Sequence, residues 1–307
     1  MAYFTHILLH NIIPLSIMIA VGVLLQRLFK LDIRTLSKLN FYLFSPAVMF
    51  KMLYESNLSF GIMMQVLLFF AIFFGLLFLL MEVVVRVRRY EPGMRSAMRN
   101  SVIFYNSANY AIPLNQLVFV GDPFTLSIQI IVMMMQSLLP NTYGVYSVNA
   151  HKRDMRATVR TMLTMPVIYV IPLAFLMRGF DVPVPQPIYD PINQISNAFV
   201  ATALLTLGVQ LGNMKWALKL SDVLLSNVLR LFVGPALGFA VVLLLGIEGM
   251  MAKALVLSCA VPTSLSSVLL AVEFDSEAEF ASQAVFSSTV LSIFSVTTVI
   301  YLLQYVG

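Results

Sequence analysis

The chain has 307 residues, of which 60% are hydrophobic and 11% charged, with a formal net charge of +5. A soluble domain carries roughly 25% charged residues, so this composition excludes a water-soluble fold and specifies an all-α polytopic membrane protein. The length holds about ten helical spans of roughly 20 residues each, crossing a hydrocarbon core about 30 Å thick.

The first apolar segment, about residues 7–25, has Pro14 inside, no positive n-region ahead of it and no cleavage site behind it, which predicts a retained span. Arg27, Lys30, Arg34 and Lys38 follow. Span 2, about residues 36–53, contains Ser45 and Pro46. Span 3, residues 62–84, is almost wholly apolar and is expected to face lipid. Arg86, Arg88, Arg89, Arg95 and Arg99 then form a basic loop.

Span 4, residues 101–120, reads SVIFYNSANYAIPLNQLVFV and places Asn106, Ser107, Asn109 and Pro113 in an apolar segment. Proline removes a backbone donor and obstructs the carbonyl about a turn earlier, so a helix must kink or break here. Span 5, residues 125–147, carries Gln129 and Gln136, and is followed by the basic loop 151–160. Span 6, residues 161–176, holds Pro166 and Pro172. After a proline-rich crossing, span 7 at residues 195–211 contains Thr206, Gly208 and Gln210. Lys215 and Lys219 precede span 8, which contains Arg230, Gly234 and Pro235. Span 9, residues 252–272, reads AKALVLSCAVPTSLSSVLLAV and is interrupted at Pro262, Thr263 and Ser264. Glu273, Asp275, Glu277 and Glu279 precede span 10 at residues 281–303.

Ten spans put the basic loops 1–2, 3–4, 5–6 and 7–8 on one side, which the positive-inside rule assigns to the cytoplasm. Both termini then lie on the outer face of what reads as a bacterial inner membrane. The positive residues act as topology signals, and no nucleic-acid partner is expected. The halves correspond: spans 1 and 6 contain proline, and spans 4 and 9 break beside a polar patch. Five spans per half invert the second copy relative to the first, giving inverted repeats over residues 1–150 and 151–307 with a site near the midplane.

In hydrocarbon, freed backbone groups persist only where protein, ligand or a watery cavity satisfies them. Asn106, Asn109, Thr263 and Ser264 are therefore the leading substrate-binding candidates, with Pro113 and Pro262 as the helix breaks; the alternative is side-chain packing around two kinks. Asn106 and Asn109 share a face if the segment stays helical between them. Paired breaks expose two half-helix N-termini, which favour a small organic anion, especially a carboxylate. Arg230 is read either as a functional charge that needs a partner in hydrocarbon or as a snorkelling side chain. Gln136, Ser45 and Gln210 are further polar groups within reach of the site, or helix-packing residues. Cys259 is the one cysteine and excludes an intramolecular disulfide, no metal motif is present, and no cofactor is expected. A carboxylate proton relay and Walker spacing are missing from the sequence. The coupling ion stays open between proton, sodium and none.

The segment FYNSANYAIP at residues 104–113 resembles the fourth-span signature of the auxin efflux carrier family, which includes plant PIN carriers and bacterial malonate- or malate-type carriers. ALLTLGVQLGNM at residues 203–214, Pro262-Thr263 and the acidic stretch 273–282 resemble the family's later segments. The resemblance implies crossed broken spans 4 and 9. It also implies a scaffold of spans 1, 2, 6 and 7 (about residues 7–54 and 161–211) and a transport domain of spans 3–5 and 8–10 (about residues 62–147 and 216–303). An elevator movement, commonly in a homodimer, would carry a small organic anion, with Asn106, Ser45 and Gln136 lining the site and Pro113 and Pro262 at the breaks. Ala108 and Ala111 stand where bacterial relatives usually carry glycine, and the loop between spans 5 and 6 is short.

Overall fold

The computed structural model describes residues 2–55, 58–144, 147, 163–164, 166–214, 220–274 and 276–306, and among them the regular structure is helical apart from one isolated β-bridge. The expected basic loop 151–160, the start of span 6, Lys215, Lys219 and Asp275 lie outside the described residues. Among the described residues, six helical runs are long and apolar enough to cross a membrane: Phe4–Phe29, Phe60–Val87, Pro123–Gly144, Gln186–Gly212, Ser221–Leu244 and Ala278–Tyr305. Ile168–Gly179 and Gly249–Cys259 are shorter apolar helices. The molecule is an all-α polytopic membrane protein.

The helices are α1 (Ile13–Phe29), α2 (Ser45–Glu55), α3 (Phe60–Val87), α4 (Pro92–Ile103), α5 (Ala111–Val118), α6 (Pro123–Leu138), α7 (Val167–Gly179), α8 (Gln186–Gly212), α9 (Leu220–Val228), α10 (Gly234–Leu244), α11 (Gly249–Cys259), α12 (Ser266–Glu273) and α13 (Ala278–Leu302). Short polar residues start several of them. Asp32 accepts from Arg34 N and Thr35 N ahead of a short helix, Ile33–Leu39. Ser59 accepts from Ile62 N at the start of α3, and Asp122 from Thr125 N at the start of α6. Each satisfies an amide that the first helical turn leaves without a partner.

Prolines inside spans 1, 2 and 8 do not break their helices. Each follows a π turn by two residues: Leu8–Ile12 before Pro14, Asn40–Phe44 before Pro46, and Leu229–Val233 before Pro235. The residue preceding the proline donates to the carbonyl five residues back, as in Ser45 N to Asn40 O. One extra residue in the turn makes room for the ring and keeps the helix continuous.

Most of the packing falls into two sets, joined chiefly where α2 meets α6 and where the N-terminal turn meets α13. α1 packs along α8, and α2 packs against α7 and α8. α3 packs against α4, α6 and α10, α10 and α6 against α11, and α9 and α12 against α13. The α1–α8 contact is made at backbone distance. A methyl group on Gly208 would lie 2.7 Å from the Gly22 Cα and overlap the Ile19 carbonyl, and one on Gly22 would lie 2.8 Å from the Gly208 Cα. Small residues at such a crossing let two membrane helices gain dispersion energy that lipid does not supply. Glu82 of α3 meets Arg99 of α4 at 2.7 Å and Arg88 meets Asp222 of α9 at 2.8 Å, so two arginines of the basic loop are also structural partners.

Candidate functional site

Spans 4 and 9 are each two half-helices joined by extended chain. The first break runs over residues 104–110, between α4 and α5, and the second over residues 260–265, between α11 and α12. They cross and pair antiparallel through Tyr105 and Thr263. Asn106 N donates to Pro262 O and Ser264 N to Phe104 O, both at 2.8 Å. Each break thus satisfies polar groups that the other exposes. Pro262 fits this pairing because only its carbonyl is used. Pro113 is not in the break itself: it occupies the first turn of α5, where a missing amide hydrogen costs no helical bond.

Side chains complete the crossing. Gln136 of α6 accepts from Tyr105 N at 3.4 Å and donates to Ile103 O at 3.3 Å, bracketing the end of α4 with one amide. Gln129 donates to Ser107 O at 3.2 Å. Thr263 is fully buried; its hydroxyl donates to Ser101 O at 2.7 Å and its amide to the Ser288 hydroxyl at 3.1 Å. Asn106 Oδ1 accepts from Asn109 N at 3.0 Å, and Asn106 O from Ala111 N at 3.0 Å. The shared helical face expected for Asn106 and Asn109 is therefore absent. The chain is not helical between them, and the first asparagine instead closes a turn that points the chain into α5.

Arg230 is completely buried in the π turn between α9 and α10. It donates to Val102 O in the last turn of α4 at 2.9 Å and to Cys259 O, the last residue of α11. Its guanidinium carbon lies 4.7 Å from the centre of the Tyr105 ring. It makes no carboxylate pair among the described residues. The partner expected for a charge in this position turns out to be the carbonyl ends of two half-helices and an aromatic face.

A cavity of about 490 Å³ opens on one side of the crossing. Ser45, Asn106, Asn109, Gln136 and Ser264 line it together, as does Gln210. Thr263, Pro113, Pro262 and Arg230 do not; Thr263, Pro262 and Arg230 are instead bonded into the crossing itself. One wall is Tyr105–Asn109 with Ser264–Ser266, placing the start of α12 and the turn that leads into α5 at the cavity. The opposite wall comes from residues 37–45 and Gln210. The wall contains one cationic side chain, Lys38, and no carboxylate among the described residues.

Asn40 and Tyr105 also line the cavity and were not singled out from the sequence. Asn40 was detectable as a buried-type amide in span 2, five residues before Ser45. Its Nδ2 donates to the Thr206 hydroxyl at 2.6 Å and to Thr202 O at 3.3 Å, tying the cavity wall to α8. Two further cavities adjoin. One of about 720 Å³ shares Gln210, Leu265 and Leu269 with the first, and another of about 660 Å³ shares Ile33 and Asn213 with the second. Arg27, Lys30 and Arg34 line the last of these.

An uncharacterized transporter of Methanothermobacter thermautotrophicus is 27% identical over 104 residues, a match covering 34% of this chain and 34% of that relative. The chain thus spans about a third of the length of that relative. The family described as Membrane transport protein matches residues 7–301, a range that takes in both broken segments, the cavity and Arg230. The chain belongs to the Membrane transport protein family.

Proposed function

We propose that the protein is a secondary carrier that moves a small organic anion, such as malonate, malate or an auxin-like acid, by elevator-type alternating access. One observation carries the reading: the cavity lies on the seam between the two packing sets, between the crossing on one side and residues 37–45 with Gln210 on the other. A ligand held by the crossing would move with it relative to the opposite wall. The antiparallel pairing of Tyr105 with Thr263 supports ten spans in two inverted repeats, with spans 1, 2, 6 and 7 as scaffold and spans 3–5 and 8–10 as transport domain.

The anion preference rests on the lining. The start of α12 and the turn that leads into α5 bring positive helix ends to or near the cavity, with amide and hydroxyl groups around them and no carboxylate among the described residues. Asn106, Asn109, Ser45, Ser264 and Gln210 are the groups assigned to the ligand, whereas Gln136 serves it by fixing the end of α4. The reading includes a homodimer in a bacterial inner membrane, with both termini on the outer face.

The test is saturable uptake and counterflow of labelled malonate, malate, succinate and indole acetate in liposomes containing the protein. Saturable flux that Asn106→Ala abolishes is the expected result. Binding without flux would make the protein a receptor, and neither binding nor flux with any member of the panel would overturn the carboxylate assignment.

A further inference from the structure

Resting on the carrier reading above, we propose that Arg230 is a permanently attached cation that fills the position a coupling metal ion would occupy at the crossing, so that the carrier works without sodium. Two half-helices, α4 and α11, end at the crossing, and each helix C-terminus carries about −0.5 of an elementary charge. Such ends, together with unwound carbonyls, are what discontinuous membrane helices use to hold sodium. Here the two carbonyls aimed at this point, Val102 O and Cys259 O, both accept from the guanidinium.

The surroundings are shaped for this group. Gly234 leaves room for it, since a methyl there would lie 2.7 Å from Arg230 Nη2. Tyr105, itself part of the crossing, presents its ring face to the guanidinium at 4.7 Å. Burial is complete and no carboxylate pairs with the charge among the described residues, so the helix ends and the ring are its counter-charges. The charge of +1 is set directly against these two C-terminal ends of about −0.5 each.

The consequence is mechanistic. A bound ion loads and unloads in each cycle, and that exchange is what lets an ion gradient drive a substrate. A guanidinium tethered to the backbone neither leaves nor exchanges. Its partners lie on α4 and α11, within the set that would move as a body, so it needs no release at the seam. The driving force then comes from the anion's own gradient and the membrane potential.

The experiment has two arms. In the first, wild-type protein is heated in detergent in sodium, lithium, potassium or choline chloride at constant ionic strength, and flux of the liposome panel is measured with and without a sodium gradient. Equal unfolding midpoints and unchanged flux are expected. A saturable sodium-specific rise in midpoint, or flux that requires sodium, overturns the proposal, and this arm decides without any variant. In the second arm, Arg230→Gln keeps a hydrogen-bonding side chain and removes the charge. Its midpoint should fall in choline and recover saturably with sodium or guanidinium ion, while Arg230→Lys, which restores the charge, should recover most of the wild-type midpoint in choline. A folded Arg230→Gln protein indifferent to both cations, with wild-type flux, would also overturn it. The midpoint reads cation demand whether or not any carboxylate is carried, so failure of the carrier reading shows as absent flux and is distinguishable from failure of this one.

Discussion

Asn106 does two jobs with one side chain, and the two can be separated. Its Oδ1 closes the turn by accepting from Asn109 N, and its position places it on the cavity wall. Asn106→Ala removes both, so binding is lost and stability falls by about 1 kcal/mol, the usual cost of a lost turn-capping acceptor. Asn106→Asp keeps the acceptor and adds a negative charge. Like charges about 4 Å apart repel by ~4 kcal/mol at an effective dielectric of 20, so anion binding should weaken by roughly two orders of magnitude or more while the thermal midpoint stays near wild type. A calorimetric titration beside a thermal melt reads both quantities. Gln136→Leu should do the reverse: the cavity keeps its ligand groups, but Tyr105 N and Ile103 O lose their amide partner. Each unpaired buried group costs ~1–3 kcal/mol, so the melt should show the loss first.

Much of this residue scale was legible in the sequence, because amides and hydroxyls beside proline in an apolar span have few structural uses. Ser45, Asn106, Asn109, Gln136 and Ser264 do meet at one cavity. The partners of Arg230 were not legible. They are main-chain carbonyls, which every residue carries, so no residue type marks them. The orientation of Asn106 relative to Asn109 was not legible for a related reason: it depends on where the helix stops, and that is set by pairing with a segment of chain far away in sequence.

At the scale of elements, the α1–α8 crossing is the tightest contact described. Gly208→Ala inserts a methyl where the Gly22 Cα lies 2.7 Å away, and neither backbone has a rotamer with which to yield. Such overpacking costs ~1–3 kcal/mol, and the variant should melt earlier in detergent with its ligand affinity little changed. The breaks themselves were foreseeable from Pro113 and Pro262, but their register was not. Proline indicates that a helix must yield; it does not say which residues of two distant segments will face each other. Here the first break lies ahead of Pro113 while the second contains Pro262, an offset that only the pairing of Tyr105 with Thr263 explains.

At the scale of the molecule, the seam is crossed by few polar ties. One is the Ser127 hydroxyl of α6, which donates to Met52 O of α2 at 3.1 Å. In a Cys259→Ala background, Met52→Cys with Ser127→Cys bridged by a bifunctional thiol reagent should abolish carriage and release it on reduction. Bridging Lys51→Cys to Asn193→Cys, residues whose native side chains meet at 2.6 Å within the other packing set, should leave carriage intact. Equal effects of both bridges would argue against a sliding seam. The long apolar helices followed from the sequence because hydropathy is a property of single segments. The seam did not, since it is a relation between segments.

Arg27, Lys30 and Arg34 stand at the outermost of three adjoining cavities that lead by shared walls to Asn106. Three cations against the one carboxylate of Asp32 leave a net positive antechamber in which anions are more concentrated than in the surrounding water. Raising ionic strength shortens the reach of that field from about 10 Å at 0.1 M to about 3 Å at 1 M. The concentration needed for half-maximal carriage should therefore rise with salt while the maximal rate holds, and replacing the three side chains by glutamine should flatten the dependence. Charges that orient the chain during insertion would then, for the rest of the protein's life, set how dilute a ligand it can collect.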